Sequence, residues 1–157
     1  MSEFRLQIVT PDGLMFDGEA QRIIVRTTEG DVGILPRHSD YAAPVSIGVA
    51  RVLTADGERK ASCAGGLLSV SDGAVRLIAS TFEWAEDIDV ERANFARERA
   101  EKKLGISGSR SDYEYKLAQV KLKKALARIS ALAPVSAVLV LLAAAAVAIK
   151  PRVLMAL

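Results

Sequence analysis

Asp-Gly pairs at 12–13, 17–18, 56–57 and 72–73 constrain this chain more than any other feature. In each pair the glycine can adopt φ > 0, which a tight hairpin turn requires. Between them lie short runs of alternating character. Phe4, Leu6 and Ile8 alternate with Arg5, Gln7 and Val9, and Val45, Ile47 and Val49 alternate with Ser46 and Gly48. A period of two with frequent turns predicts many short strands, hence an antiparallel sandwich or barrel rather than a βαβ unit. Gly65-Gly66 falls inside a strand-like stretch and predicts a bulge or a close backbone approach. Residues 1–86 are therefore expected to form a β-sandwich.

The composition changes near residue 87. From Asp89 the chain is rich in Ala, Glu, Arg and Lys, with no Gly or Pro before Gly105. Asp89 is a natural N-cap, Glu91 lies where the helix dipole favours an acid, Lys102 and Lys103 lie where it favours a base, and Gly105 suits the C-cap. After the breaker cluster Ile106–Ser111, Asp112 begins a second helix. There Tyr115, Ala118, Leu122, Ala125, Ile129 and Leu132 make one apolar stripe. Two helices joined by a short loop predict an αα-hairpin over residues 87–132, so the fold class is α+β. The first helix offers Val90, Ala93, Ala96, Ala100 and Leu104. An alanine-lined seam buries few methylenes, at about 0.8 kcal/mol each, so the hairpin is expected to be marginal alone and open to a partner.

Residues 133–157 form a third segment, an apolar tail. Twenty-one residues without a charge separate Arg128 from Lys150. As helix they would span about 31 Å, the thickness of a hydrocarbon core, but Pro134 would leave only about 22 Å of uninterrupted helix from Val135 to Ile149. A membrane-spanning helix, packing on a partner and a disordered tail are three open readings.

Several classes are disfavoured. With 21 basic and 19 acidic residues the net charge is only +2, so nucleic acid is not implied. One cysteine, Cys63, excludes an internal disulfide framework and suits a reducing compartment. The opening residues lack a charged segment followed by an apolar run, so no secretory signal is expected. A single histidine, no Walker-type loop and no H-x-x-x-H or C-x-x-C leave neither a catalytic constellation nor a metal site. Asp87 and Asp89 read as capping groups rather than an acid–base pair.

Glu29-Gly-Asp-Val-Gly-Ile-Leu-Pro-Arg-His38 is the most specific motif. Gly30 and Gly33 permit φ > 0 and Pro36 fixes φ, which predicts a rigid exposed corner carrying Asp31, Arg37 and His38. This E-G-x-x-G-I-x-P-x-H wording resembles the epsilon subunit of F-type ATP synthases, and the resemblance extends from residue 3 to about 132. Ile88-Asp-Val-Glu-Arg-Ala93 is similar to the I-D-x-x-R-A motif that binds ATP in some bacterial members. Arg99 fits a further basic group of that site, and Lys124-Ala-Leu-Ala-Arg128 fits its second-helix pattern with one arginine replaced by lysine.

The resemblance implies a non-catalytic central-stalk subunit on the cytoplasmic face of the bacterial inner membrane. Its sandwich would couple the shaft (gamma) subunit to the membrane c-ring, with Asp31, Arg37 and His38 at the contact. Its second helix, carrying Lys116, Lys121, Lys123, Lys124 and Arg128, would leave the hairpin, meet the catalytic alpha/beta headpiece and inhibit ATP hydrolysis. No cofactor is required. ATP is implied as a regulatory ligand held by Asp89, Arg92, Ala93, Arg99, Lys124 and Arg128, through charge-assisted bonds to adenine and phosphates. The tail lies beyond the resemblance, which usually ends soon after the second helix, and a membrane contact through it is one of its open readings. A different class is a free-standing adenine-nucleotide sensor built on Asp89, Arg92, Arg99 and Arg128, and the bland alternative makes Asp89 a cap and the arginines solvated charges.

Overall fold

Eight strands are followed by two helices: β1 (Phe4–Thr10), β2 (Gly13–Ala20), β3 (Arg22–Thr27), β4 (Gly30–Ile34), β5 (Tyr41–Pro44), β6 (Gly48–Thr54), β7 (Gly57–Ser71), β8 (Ala74–Trp84), α1 (Val90–Gly105) and α2 (Asp112–Leu132). The computed structural model describes residues 2–105 and 111–134. The expected tail therefore lies outside the described residues from 135 onward. The strands form one continuous sheet in the order β2-β1-β8-β7-β6-β3-β4, with β5 paired on β7. The sandwich followed by a helical hairpin is thus observed.

Two long strands make the sandwich. β7 pairs with β6 through Gly57–Cys63 and with β5 through Leu67–Val70, so it passes from one layer to the other. Gly65 and Gly66 sit at the crossing, with φ of 70° and 122°. A Cβ on Gly66 would lie 1.9 Å from the Ile78 carbonyl oxygen, so only glycine fits there. The close approach expected at this pair is what the fold contains. On β8 the inward alternation of Val75, Leu77 and Ala79 skips a beat at Ser80-Thr81 before Phe82 and Trp84 resume it. Leu6, Ile8, Ile23, Val25, Ile34, Val52, Leu68 and Leu77 fill the core.

Three expectations are corrected. Gly13, Gly57 and Gly73 occupy turns at positive φ, but Asp17-Gly18 lies within β2, where Gly18 pairs with Leu6 and the Phe16 ring covers the space a Cβ would take. Gly33 is likewise an ordinary strand residue opposite Ile24, because the β3–β4 turn needs φ > 0 only at Gly30. The sheet is also not wholly antiparallel: β1 runs parallel to β8 through Leu6–Val9 and Val75–Ile78.

The hairpin forms largely as its sequence indicates. One carboxylate oxygen of Asp89 accepts from the Arg92 N–H at 3.0 Å, and the Ser111 hydroxyl accepts from the Glu114 N–H at 3.4 Å. Ala93 and Ala100 on α1, and Ala118 and Ala125 on α2, are buried. Val90 is not part of the seam: it is half exposed on the outer side of the first turn of α1, while Ile88 and Ala93 pack on Ala131 of α2.

Candidate functional surfaces

The Gly/Pro segment does not gather its three polar residues. Asp31 follows the β3–β4 turn, and its carboxylate accepts from Arg26 at 2.5 and 3.2 Å across the strands. Arg37 and His38 follow the other end of β4; Asp31 and Leu35 alone are separated by about 13 Å of extended chain. At that far corner the His38 N–H donates to the Leu35 carbonyl at 3.2 Å. Arg37 has φ of 64°, as at the third position of a type II turn. A left-handed arginine stores strain of about 1 kcal/mol or more. The His38 ring meets Tyr41 edge-on at 5.6 Å, and its Nδ1 lies 2.7 Å from the Ser39 carbonyl. Leu35 is exposed beside it.

The face of the sandwich carries a row that the sequence hides. Leu14 on β2 lies opposite Val9 on β1, Val9 opposite Ile78 on β8, Ile78 opposite Leu67 on β7, and Leu67 opposite Pro44 on β5. Leu14, Ile78 and Leu67 are 60%, 47% and 43% exposed, and Pro44 is exposed as well. The adjoining row is polar for four of its five places: Asp17, Gln7, Arg76, Ser69 and Ala42 in register. An apolar ridge across five strands, flanked by polar groups, marks a contact surface rather than scattered exposure.

The residues expected to hold a nucleotide fall into two groups. Arg99, Lys124 and Arg128 line one cleft between α1 and α2, of about 280 Å³, together with Ala96, Ala100, Lys103 and Lys121. The spacing of Lys124 and Arg128 brings both onto the α1-facing side of α2. Asp89, Arg92 and Ala93 do not line it. Asp89 caps α1, and Ala93 is buried with Ile88 and Ala131. From Asp89 to Arg99 is about 15 Å along the helix, so a ligand reaching both must lie along α1. Arg128 also donates to Glu83 on β8 at 2.8 Å.

That ion pair belongs to the contact that docks the hairpin. Lys60 on β7 donates to the Ala133 carbonyl at 2.7 Å, just past the end of α2. Ile88, Ala93 and Ala131 close over Val49, Ala85, Ile129 and Leu132. At the same end Arg59 stacks 3.7 Å over the Trp84 ring and is paired with Glu86. A hydrogen bond from its own backbone N–H holds the Glu86 carboxyl below its ordinary value; slight burial opposes this, and Arg59 adds to it. Burial pushes the Cys63 thiol up to about 12, so it remains protonated. Among the described residues no cluster suits a metal ion, and no helix is long and apolar enough to cross a membrane.

Residues 3–85 match the model of the ATP synthase delta/epsilon chain β-sandwich domain, and residues 86–133 match that of its long α-helix domain. The chain belongs to the ATP synthase delta/epsilon chain family. Among its relatives, the ATP synthase epsilon chain of Alkaliphilus oremlandii is 46% identical over 106 residues, covering 68% of this chain and 79% of that one. The epsilon chain of Ruminococcus albus is 37% identical over 131 residues, covering 83% and 96%. The family fold recurs in a solved chain from the OSCP/F1/c-ring assembly of Euglena gracilis mitochondrial ATP synthase, with a TM-score of 0.74 at 22% identity, covering 85% and 83% of the two chains. A second, from the central stalk and c-ring of the Tetrahymena thermophila enzyme, has a TM-score of 0.55 at 15% identity, covering 84% and 98%.

Proposed function

We propose that this chain is the non-catalytic epsilon subunit in the central stalk of a bacterial rotary ATP synthase, on the cytoplasmic face of the membrane. The observation that carries the reading is the pairing of an exposed five-strand apolar ridge with a helical hairpin docked on the sandwich through a small apolar cluster. The ridge is assigned to the shaft subunit, and the strained Leu35–His38 corner to polar loops of the membrane ring. Asp31, committed to Arg26, supports the β3–β4 turn rather than that corner. The hairpin regulates ATP hydrolysis by leaving the sandwich and carrying the basic α2 to the catalytic headpiece. The two states differ in whether the Arg128–Glu83 and Lys60–Ala133 contacts exist, so a partner offering α2 better contacts shifts the population.

ATP is a regulatory ligand in this scheme, with its phosphates in the cleft of Arg99, Lys124 and Arg128 and its base towards Asp89 and Arg92. Five cations around one cleft favour a polyanion and also support the second reading, a free-standing nucleotide sensor. Affinity purification of the tagged chain from solubilised membranes separates the two. Recovery of shaft, ring and headpiece subunits is expected. A monomer whose hairpin alone gains ATP-dependent protection from amide exchange would establish the sensor instead.

A further inference from the structure

A second groove, of about 800 Å³, lies between the sandwich and α2 and is separate from the nucleotide cleft. Its sandwich wall includes Ile24, Val49, Arg51 and Lys60, and its helical wall includes Lys123 and Leu126. Arg51 lies directly opposite Ile24 on β3 and directly opposite Lys60 on β7. Like charges facing each other across strands destabilise a sheet unless something neutralises them. Lys60 is turned to the Ala133 carbonyl, which gives it a partner without a charge. Asp31 is the one acid of the lining, and Arg26 of the same lining takes both its oxygens. Neither Arg51 nor Lys123 has an acidic partner among the described residues. Three uncompensated cations thus surround a floor that also offers Ile47 and Leu126, the latter 42% exposed.

We propose that this groove docks a short acidic segment of a partner polypeptide, its carboxylates meeting Arg51, Lys60 and Lys123 and its apolar side chains meeting Val49 and Leu126. The charge complementarity selects an acidic occupant, and the apolar floor selects a peptide over a bare inorganic anion. Lys123, Leu126, Ala127 and Ser130 present one face of α2 over about 10 Å, room for three extended residues. Because the occupant touches the sandwich and α2 together, it binds only while the hairpin is docked and stabilises that state. The inference does not depend on the stalk reading.

The test is fluorescence anisotropy of the full chain with a labelled eight-residue peptide of alternating Glu and Leu, beside inorganic triphosphate as a competitor. Arg51→Gln and Lys123→Gln should each weaken the peptide about threefold, and the double variant about tenfold, as partly exposed ion pairs do. Lys102→Gln, on α1 away from the groove, should change nothing. Leu126→Ser should weaken the peptide several-fold while leaving triphosphate affinity unchanged. Thermal melts of each variant report whether the fold is intact. Absence of peptide binding, equal affinity in the double variant, or displacement by triphosphate that Leu126→Ser leaves unaltered together with the peptide's own affinity would overturn the proposal.

Discussion

Gly66 concentrates the conflict between side chain and backbone at one residue. Its φ of 122° and the Ile78 carbonyl 1.9 Å from any added Cβ mean that Gly66→Ala must move a strand. The expected cost is more than about 3 kcal/mol, read as a drop in the urea midpoint. Glu86 acts more gently. Its folded carboxyl titrates below the unfolded value, so its stabilisation is complete above the ordinary glutamate range, about pH 4.3. It is lost as pH falls through the folded value. Glu86→Gln should therefore be slightly less stable near neutrality and should lose stability less steeply in acid, which urea titrations between pH 3 and 7 would measure. Residue-level chemistry was unevenly legible. The cap at Asp89 follows from a single side chain and its helix start, and it is present. The role of Gly33 is not legible in this way, because a glycine that can adopt φ > 0 need not do so, and Gly33 pairs as an ordinary strand residue.

Most elements follow period and turn chemistry, except that the alternating run Val45–Val49 spans the gap between β5 and β6 instead of forming one strand. The partners of the strands do not follow from either. Alternation locates β1 without naming its neighbour, and the parallel pairing to β8 rests on contacts across some seventy residues of sequence. The apolar ridge was hidden for the same reason: Leu14, Val9, Ile78, Leu67 and Pro44 come from five strands, and no local window contains them. On α2 the spacing of Lys124 and Arg128 does place both on one side, whereas Lys103 enters the cleft from α1. The docking of α2 gives the prediction at this scale. The Arg128–Glu83 pair is more than one-third exposed, so it contributes no more than about 1 kcal/mol. Glu83→Gln should accelerate amide exchange in α2 up to about fivefold and leave the sandwich melting temperature unchanged. In an assembled enzyme, the freer hairpin should inhibit ATP hydrolysis more.

At the scale of the molecule, the two halves are unequal partners. The main core draws wholly on the sandwich, from Phe4 to Trp84, while the smaller cluster at the hairpin's base holds Ile88, Ala93 and Ala131. A chain ending after Asp87 should therefore melt cooperatively as a folded sandwich with intact near-ultraviolet dichroism of Trp84. Assemblies carrying it should still make ATP under an ion gradient and hydrolyse it at least as fast as intact ones. Loss of the cooperative melt would show that the hairpin supports the core. The parallel β1–β8 pair has a further, temporal consequence. The first strand finds its interior neighbour only when the last strand exists, so the N-terminal β1–β2 hairpin must wait with one edge unpaired while some sixty residues are synthesised. Such a high-contact-order closure belongs to folding on the millisecond-to-second scale. During that interval the nascent chain exposes the same edge that would seed aggregation, which makes the completion of β8 the committing step in its biogenesis.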